Sequence, residues 1–205
     1  MNKIINRTKT HIENEKKKYL FLITVTLIGI ISGILFIIFI SNKDKLLVKD
    51  NIESIINTIN NHKLDTFKVF INSLWSNILS LLFIYLLAIS IIGMPLIILF
   101  LFIKGFTFGF SISSLINTYH FKGILLSLSY LFPHHFILLI IYILLGFYSI
   151  NFSIRLFRYL FLKENINLLY YFKNLNKILL ISFIIVIICS LIETFLSPIL
   201  IDLCI

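Results

Sequence analysis

"IIGMPLIILFLFIKGFTFGF" (residues 91–110) decides how this chain must be read. Residues 91–103 carry no charge, then Lys104 stands among apolar side chains, followed at once by Gly105 and, four residues on, Gly109. A helix in water would put its lysine on a polar face, and this stretch has no polar face to offer. An apolar run of about 20 residues fits a hydrocarbon core about 30 Å thick. Residues 95–116 are therefore expected to cross a membrane. "GMP" (93–95) just ahead of them reads as a tight break. Gly93 is suited to a left-handed helix cap and Pro95 to a first helical turn.

The rest of the chain supports a lipid environment. Of its 205 residues 59% are apolar and only 13% charged, with a mean hydropathy of +1.02. Soluble domains are about 45–50% apolar and about 25% charged. A water-soluble fold of this size could not cover so much apolar surface. The net charge of +9 raises the question of nucleic acid. The lysines and arginines, however, lie in polar stretches between apolar runs rather than on one polar surface, which suits anionic lipid headgroups and argues against nucleic acid. The two cysteines, Cys189 and Cys204, would stand roughly 22 Å apart on one helix, far beyond the ~7 Å that a disulfide allows.

Moving outward from 91–110, residues 1–18 are a basic tail with Lys3, Arg7, Lys9, Lys16, Lys17 and Lys18. The apolar run 19–41 that follows is too long for a signal peptide and lacks a cleavage site, so it is expected to be an uncleaved first span. Residues 42–72 are polar, but Ile52, Ile55, Ile56 and Ile59 follow the i, i+3, i+4, i+7 spacing of one helical face. This predicts an amphipathic helix lying on the membrane domain or on a partner. Residues 74–92 form the second span, with Trp75 suited to an interfacial aromatic belt. "GILLSLSYLF" (123–132) would be about 15 Å long as a helix, too short to cross, so it should be interfacial or re-entrant. Pro133 restarts the chain, 136–151 crosses again, and 152–177 forms a basic segment. The last span, 178–198, breaks near Pro198.

The expected fold is thus an all-α, multi-pass membrane bundle of about five helices plus a short non-spanning piece, all in one membrane domain over 19–205. Five crossings put the N-terminus and 152–177 on one side, with 42–72 and the C-terminus on the other. The tail has six Lys/Arg in 18 residues, 152–177 has five in 26, and 42–72 has five in 31. The excess of positive charge predicts that the N-terminal side is cytoplasmic.

Gly105, Gly109 and Ser113 recur every four residues on the third span, and Gly29 and Gly33 make a similar pair on the first. Small residues let helix backbones approach closely in lipid, so these positions are candidates for packing within the chain or against a partner. Lys104 lies near mid-membrane, where a charge costs about 2.5–3.5 kcal/mol to insert. Glu193 is the carboxylate within the last span. A Lys104–Glu193 contact, a lysine that snorkels to the interface, and an ion or solute path are all open. "PHH" (133–135) reads as two interfacial histidines, because HExxH or a similar spread of ligands is absent. "GFSIS" (109–113) lacks the second glycine of a nucleophile elbow. These residues predict no catalytic centre, cofactor or metal site.

The order of "FINSLWSN" (70–77), "IIGMPLIILFLFIKGFTFGF" (91–110), "GILLSLSYLFPHH" (123–135) and "LIETFLSPIL" (191–200) resembles the stage II sporulation protein M family of endospore-forming bacteria, over nearly the whole chain. The resemblance implies a multi-pass protein of the mother-cell membrane at the sporulation septum, acting as that membrane engulfs the forespore. It also implies a non-enzymatic role, holding or localising the peptidoglycan-degrading stage II sporulation proteins D and P. On that reading "KGFTFGF" would be an assembly surface, and homo-oligomerisation is left open. The rival expectation is a small transporter or channel component.

Overall fold

A computed structural model of the chain describes residues 2–60, 65–90, 92–196 and 198–199. Cys204 and the side chains of Lys3, Arg7, Lys9 and Ile59 lie outside the described residues. Among those described there are six α-helices and no strand: α1 (Asn2–Phe39), α2 (Asn42–Asn60), α3 (Thr66–Ile89), α4 (Gly93–Leu126), α5 (Phe132–Phe161) and α6 (Leu168–Leu191). Five of them, all but α2, are long and apolar enough to cross a membrane.

The helix ends follow from local chemistry. Ser41 caps α2, accepting from the Asp44 backbone N–H at 3.2 Å while its hydroxyl donates to the Asp44 carboxylate at 2.7 Å. Asp65 accepts from Lys68 N at the start of α3, and Asn167 from Tyr170 N at the start of α6, each at 3.2 Å. Gly93 opens α4 without the left-handed backbone expected of it, since no glycine in the described chain has positive φ. It is required for closeness instead. A Cβ at Gly93 would sit 1.6 Å from the Leu87 carbonyl oxygen, because the chain reverses from α3 into α4 within three residues.

The segment 123–132 does not cross. α4 kinks at His120 (φ 52°, ψ −122°), and the chain folds back so tightly that a Cβ at Gly123 would lie 2.2 Å from Leu115 O. A π-helical turn, Ser127–Leu131, then leads into α5, with Pro133 in its first turn, where a missing N–H is harmless. The basic stretch 152–177 is mostly helix: α5 runs on to Phe161 and α6 begins at Leu168, leaving 162–167 as the connection. Lys163 closes α5 in the left-handed region (φ 50°).

α5 is the central helix. Some 67% of its apolar window is buried, against 28% or less for each other span. Around it Leu81, Ile84 and Ala88 of α3, Ile97 and Leu101 of α4, Leu145 of α5, and Leu175 and Val186 of α6 are fully shielded. α1 packs along α4 on the outside. α2 lies across the far end of α4, where Ile56 is buried with Phe108, Leu115, Leu126 and Leu131, while Ile55 is 52% exposed. The amphipathic helix therefore rests on its own membrane domain, with Ile52 beside that cluster.

Candidate functional site: a polar network at membrane depth

The residues singled out in the sequence fall in two places. Gly29, Gly33, Gly105, Gly109 and Ser113 form a single seam between α1 and α4. A Cβ on Gly29 would lie 2.3 Å from Phe102 O, on Gly33 2.1 Å from Phe106 O, on Gly105 2.3 Å from Thr26 O, and on Gly109 2.1 Å from Ile30 O. Ser113 Oγ donates to Ile34 O at 3.3 Å. The two small-residue pairs interlock, each giving room for the other helix's backbone. In this fold the close approach at Gly105 and Gly109 is occupied by α1 of the same chain.

Lys104 turns away from that seam. Its Nζ lies 5.3 Å from the ring centroids of Phe100 and of Tyr142. Glu193 is not its partner: the two charges stand on opposite sides of a ring of polar groups built from four helices. Tyr142 Oη donates to Asn77 Oδ1 at 2.9 Å, and Asn77 Nδ2 donates to Ser73 Oγ at 3.4 Å. Ser73 donates to the Glu193 carboxylate, and its oxygen lies 3.2 Å from Ser190 Oγ. Glu193 Oε2 is 3.8 Å from His134 Nε2. The two imidazoles then meet, His134 Nε2 and His135 Nδ1 being 2.6 Å apart, so one donates and the other accepts. His135 stacks on Phe108 and lines a small cavity with Lys104, Asn77 and Tyr142.

Local structure explains why these groups converge. Ser73 and Asn77 are one turn apart on α3 and so share a face. The Pro133 start sets His134 in the first turn of α5, with zero exposure. Glu193 sits on a π-helical turn, Ile192–Leu196, which follows α6 directly. The two histidines stand at the start of the membrane-crossing helix, as the sequence suggested, and His134 is enclosed by protein there. Pro133 begins the helix at the rim, but the α4 fold-back and the end of α6 cover that rim. Among the described residues, no group of three or more His, Cys, Asp or Glu is placed to hold a metal.

The network is confined to the half of the bundle on the α2 side. Beyond Lys104, Ile84, Ala88, Ile97, Leu101 and Leu145 form an aliphatic layer with zero exposure, past which Ser149 and Ser153 of α5 are buried, Ser153 donating to Ser90 O at 2.9 Å. Polar groups in hydrocarbon must find partners, and here each element supplies one for its neighbour. Measured interhelical hydrogen bonds in membranes average about 0.6 kcal/mol, so the network specifies which helices meet more than it stabilises them. Lys104 is the member least well compensated. It faces two rings, and each cation–π contact contributes from about 0.5–1 kcal/mol at exposed sites to about 2 kcal/mol when desolvated, against an insertion cost of about 2.5–3.5 kcal/mol.

A family model, Stage II sporulation protein M, matches residues 22–198. That interval takes in α3 to α6 whole, α1 from residue 22 onward, the glycine seam and every member of the polar network. The chain belongs to the stage II sporulation protein M family. It is accordingly a multi-helix membrane protein of a sporulation family, with an all-α bundle as its fold. No curated protein and no solved structure matches it.

Proposed function

We propose that this family member is a non-enzymatic scaffold for forespore engulfment, placed in the mother-cell membrane at the sporulation septum. It would hold or localise the cell-wall-degrading stage II sporulation proteins D and P there. The observation that carries the proposal is the family match over the whole bundle. The fold is in keeping with it, since the chemistry of the core goes into helix-to-helix contacts. We place the N-terminus and the 162–167 connection in the cytoplasm, and α2 on the opposite face.

One observation favours a second reading, a transporter or channel component. Lys104, Glu193 and the paired histidines all fall within membrane-crossing segments, where ionisable groups often mark ion or solute paths. Against that reading, the fully buried aliphatic layer of Ile84, Ala88, Ile97, Leu101 and Leu145 closes the polar region on the N-terminal side.

Deleting the gene in its host and imaging septal membranes during sporulation separates the two. Arrest at a flat or bulging septum, rescued by the intact gene, is expected, together with loss of proteins D and P from the septum. Normal engulfment in the deletion strain would discard the scaffold proposal and make solute or ion uptake the assay to run.

A further inference from the structure

Between α3 and α4, with α5 as the floor, lies a cavity of about 70 Å³. Its walls carry Asn77, Lys104, His135 and Tyr142, and exposed Thr107 forms part of its rim. Water occupies about 30 Å³ per molecule in the liquid, so the space admits a carboxylate group but no helix. Among the described residues no carboxylate lies within 4.0 Å of Lys104 Nζ. The aromatic rings it faces offer cation–π attraction but no counter-charge. Lys104 lies eleven residues into α4, roughly 16 Å along the helix, out of reach of lipid headgroups.

We infer that this notch docks a transmembrane helix of another protein, one that presents an Asp or Glu side chain at mid-membrane depth. The partner's carboxylate enters the cavity and accepts from the Lys104 ammonium, while its helix lies over the Thr107 rim. Charge complementarity selects this occupant, because a buried ammonium without a counter-charge is what an acidic side chain in lipid requires. A second copy of this chain does not supply it. Glu193 is already engaged by Ser73 and lies against the His134 ring, Glu15 of α1 is held by Lys18 and Asn151, and Asp44, Asp50, Glu53, Asp65 and Glu164 sit on α2 or in connections. The inference rests on the scaffold proposal in that a scaffold must have membrane partners, and it names the chemistry of the contact.

The test uses full-length protein in liposomes with a synthetic helix of about 20 Leu and Ala residues carrying a central Glu, Gln or Leu. Energy transfer between labelled protein and labelled peptide reads the association. The Glu peptide should bind at least tenfold more tightly than the other two. That preference should vanish in Lys104→Met and persist in Lys104→Arg, which also controls for folding. Lys104→Glu should prefer a peptide with a central Lys. Equal binding of the three peptides, or a Glu preference that survives Lys104→Met, would overturn the inference. So would a Lys104-dependent difference in melting temperature between chloride and gluconate without any peptide preference, which would assign the cavity to a free anion. Energy transfer between two copies that is lost in Lys104→Met would assign it to self-association and overturn it equally. A Glu preference beside normal engulfment in the deletion strain keeps the notch and drops the scaffold proposal. The converse drops the notch alone.

Discussion

Tyr142 gives its hydroxyl proton to Asn77 at 2.9 Å inside a membrane bundle, where water is absent as a substitute acceptor. Replacing Asn77 by Leu takes away that acceptor and leaves Ser80 as the neighbouring polar group, whereas Tyr142→Phe removes the donor and leaves Asn77 still joined to Ser73. The asymmetry of hydrogen-bond energetics then predicts a larger cost for Asn77→Leu, about 1–3 kcal/mol, than for Tyr142→Phe. The double variant should recover part of the loss, with a coupling of about 0.5–1.5 kcal/mol by thermal unfolding in detergent. Additive losses would show that the two side chains do not communicate. At this scale the sequence was only partly legible. Lys104 and Glu193 were conspicuous because each is a charge in an apolar run. Their separation by Ser73, Asn77 and two histidines was not, since it depends on α3, α5 and α6 meeting in space. The contacts of His134 and His135 were not legible either. Two adjacent histidines after a helix-starting proline suit an interface equally well, until the fold-back at His120 and Gly123 covers the rim.

Two glycines on neighbouring helices of this bundle ask different things of the backbone around them. At Gly109 of α4 an added Cβ would meet the carbonyl oxygen of Ile30 at 2.1 Å, which is backbone and cannot swing aside. At Gly146 of α5 it would meet the tips of Leu101 and Ile97 at 3.1 and 3.3 Å, which shift by rotamer adjustment. Gly109→Ala should therefore force α1 and α4 apart at an overpacking cost of about 1–3 kcal/mol, lowering the melting temperature in detergent by several degrees. Gly146→Ala should be neutral or stabilising, since alanine gains up to about 1 kcal/mol over glycine within a helix. If both variants melted alike, the interlocked α1–α4 seam would be wrong. The four-residue spacing of small residues announced that some helix comes close. That the helix is α1, far away in sequence, was not announced, because both pairs fit any small-residue face of similar pitch. Helix type and number were legible from the apolar runs alone. The ends of α4, α5 and α6 were not, because polar residues such as Asn117, Arg155, Arg158 and Lys173 continue a helix past the hydrocarbon boundary without a change of backbone.

The two faces of the whole molecule carry different chemistry. On the N-terminal side Lys18 bonds to Asn151 at 2.8 Å and to Glu15 at 3.4 Å, joining α1 to α5, and Arg155 lies 3.8 Å over the Tyr171 ring, joining α5 to α6. Lys16, Lys17, Arg158, Lys163, Lys173 and Lys177 extend this into a basic collar. The opposite face carries α2, whose lysines alternate with Asp44, Asp50 and Glu53, and Lys49 pairs with Glu53 at 3.6 Å. Lysine and arginine close to membrane helices resist translocation, which supports the proposed placement of the collar in the cytoplasm and α2 outside. The polar notch at Lys104 then opens in the half of the membrane nearest α2. A partner helix anchored by an extracytoplasmic domain would bring its outer half past it. The arrangement is checked with single cysteines in a Cys189→Ala, Cys204→Ser background, using Lys43→Cys on α2 and Lys163→Cys in the 162–167 connection. A membrane-impermeant maleimide on intact cells should label position 43 at once and position 163 only after permeabilisation. The reverse pattern would invert the bundle and put the basic collar outside. Labelling of both positions from one side would require an even number of crossings between them, against the three that α3, α4 and α5 provide.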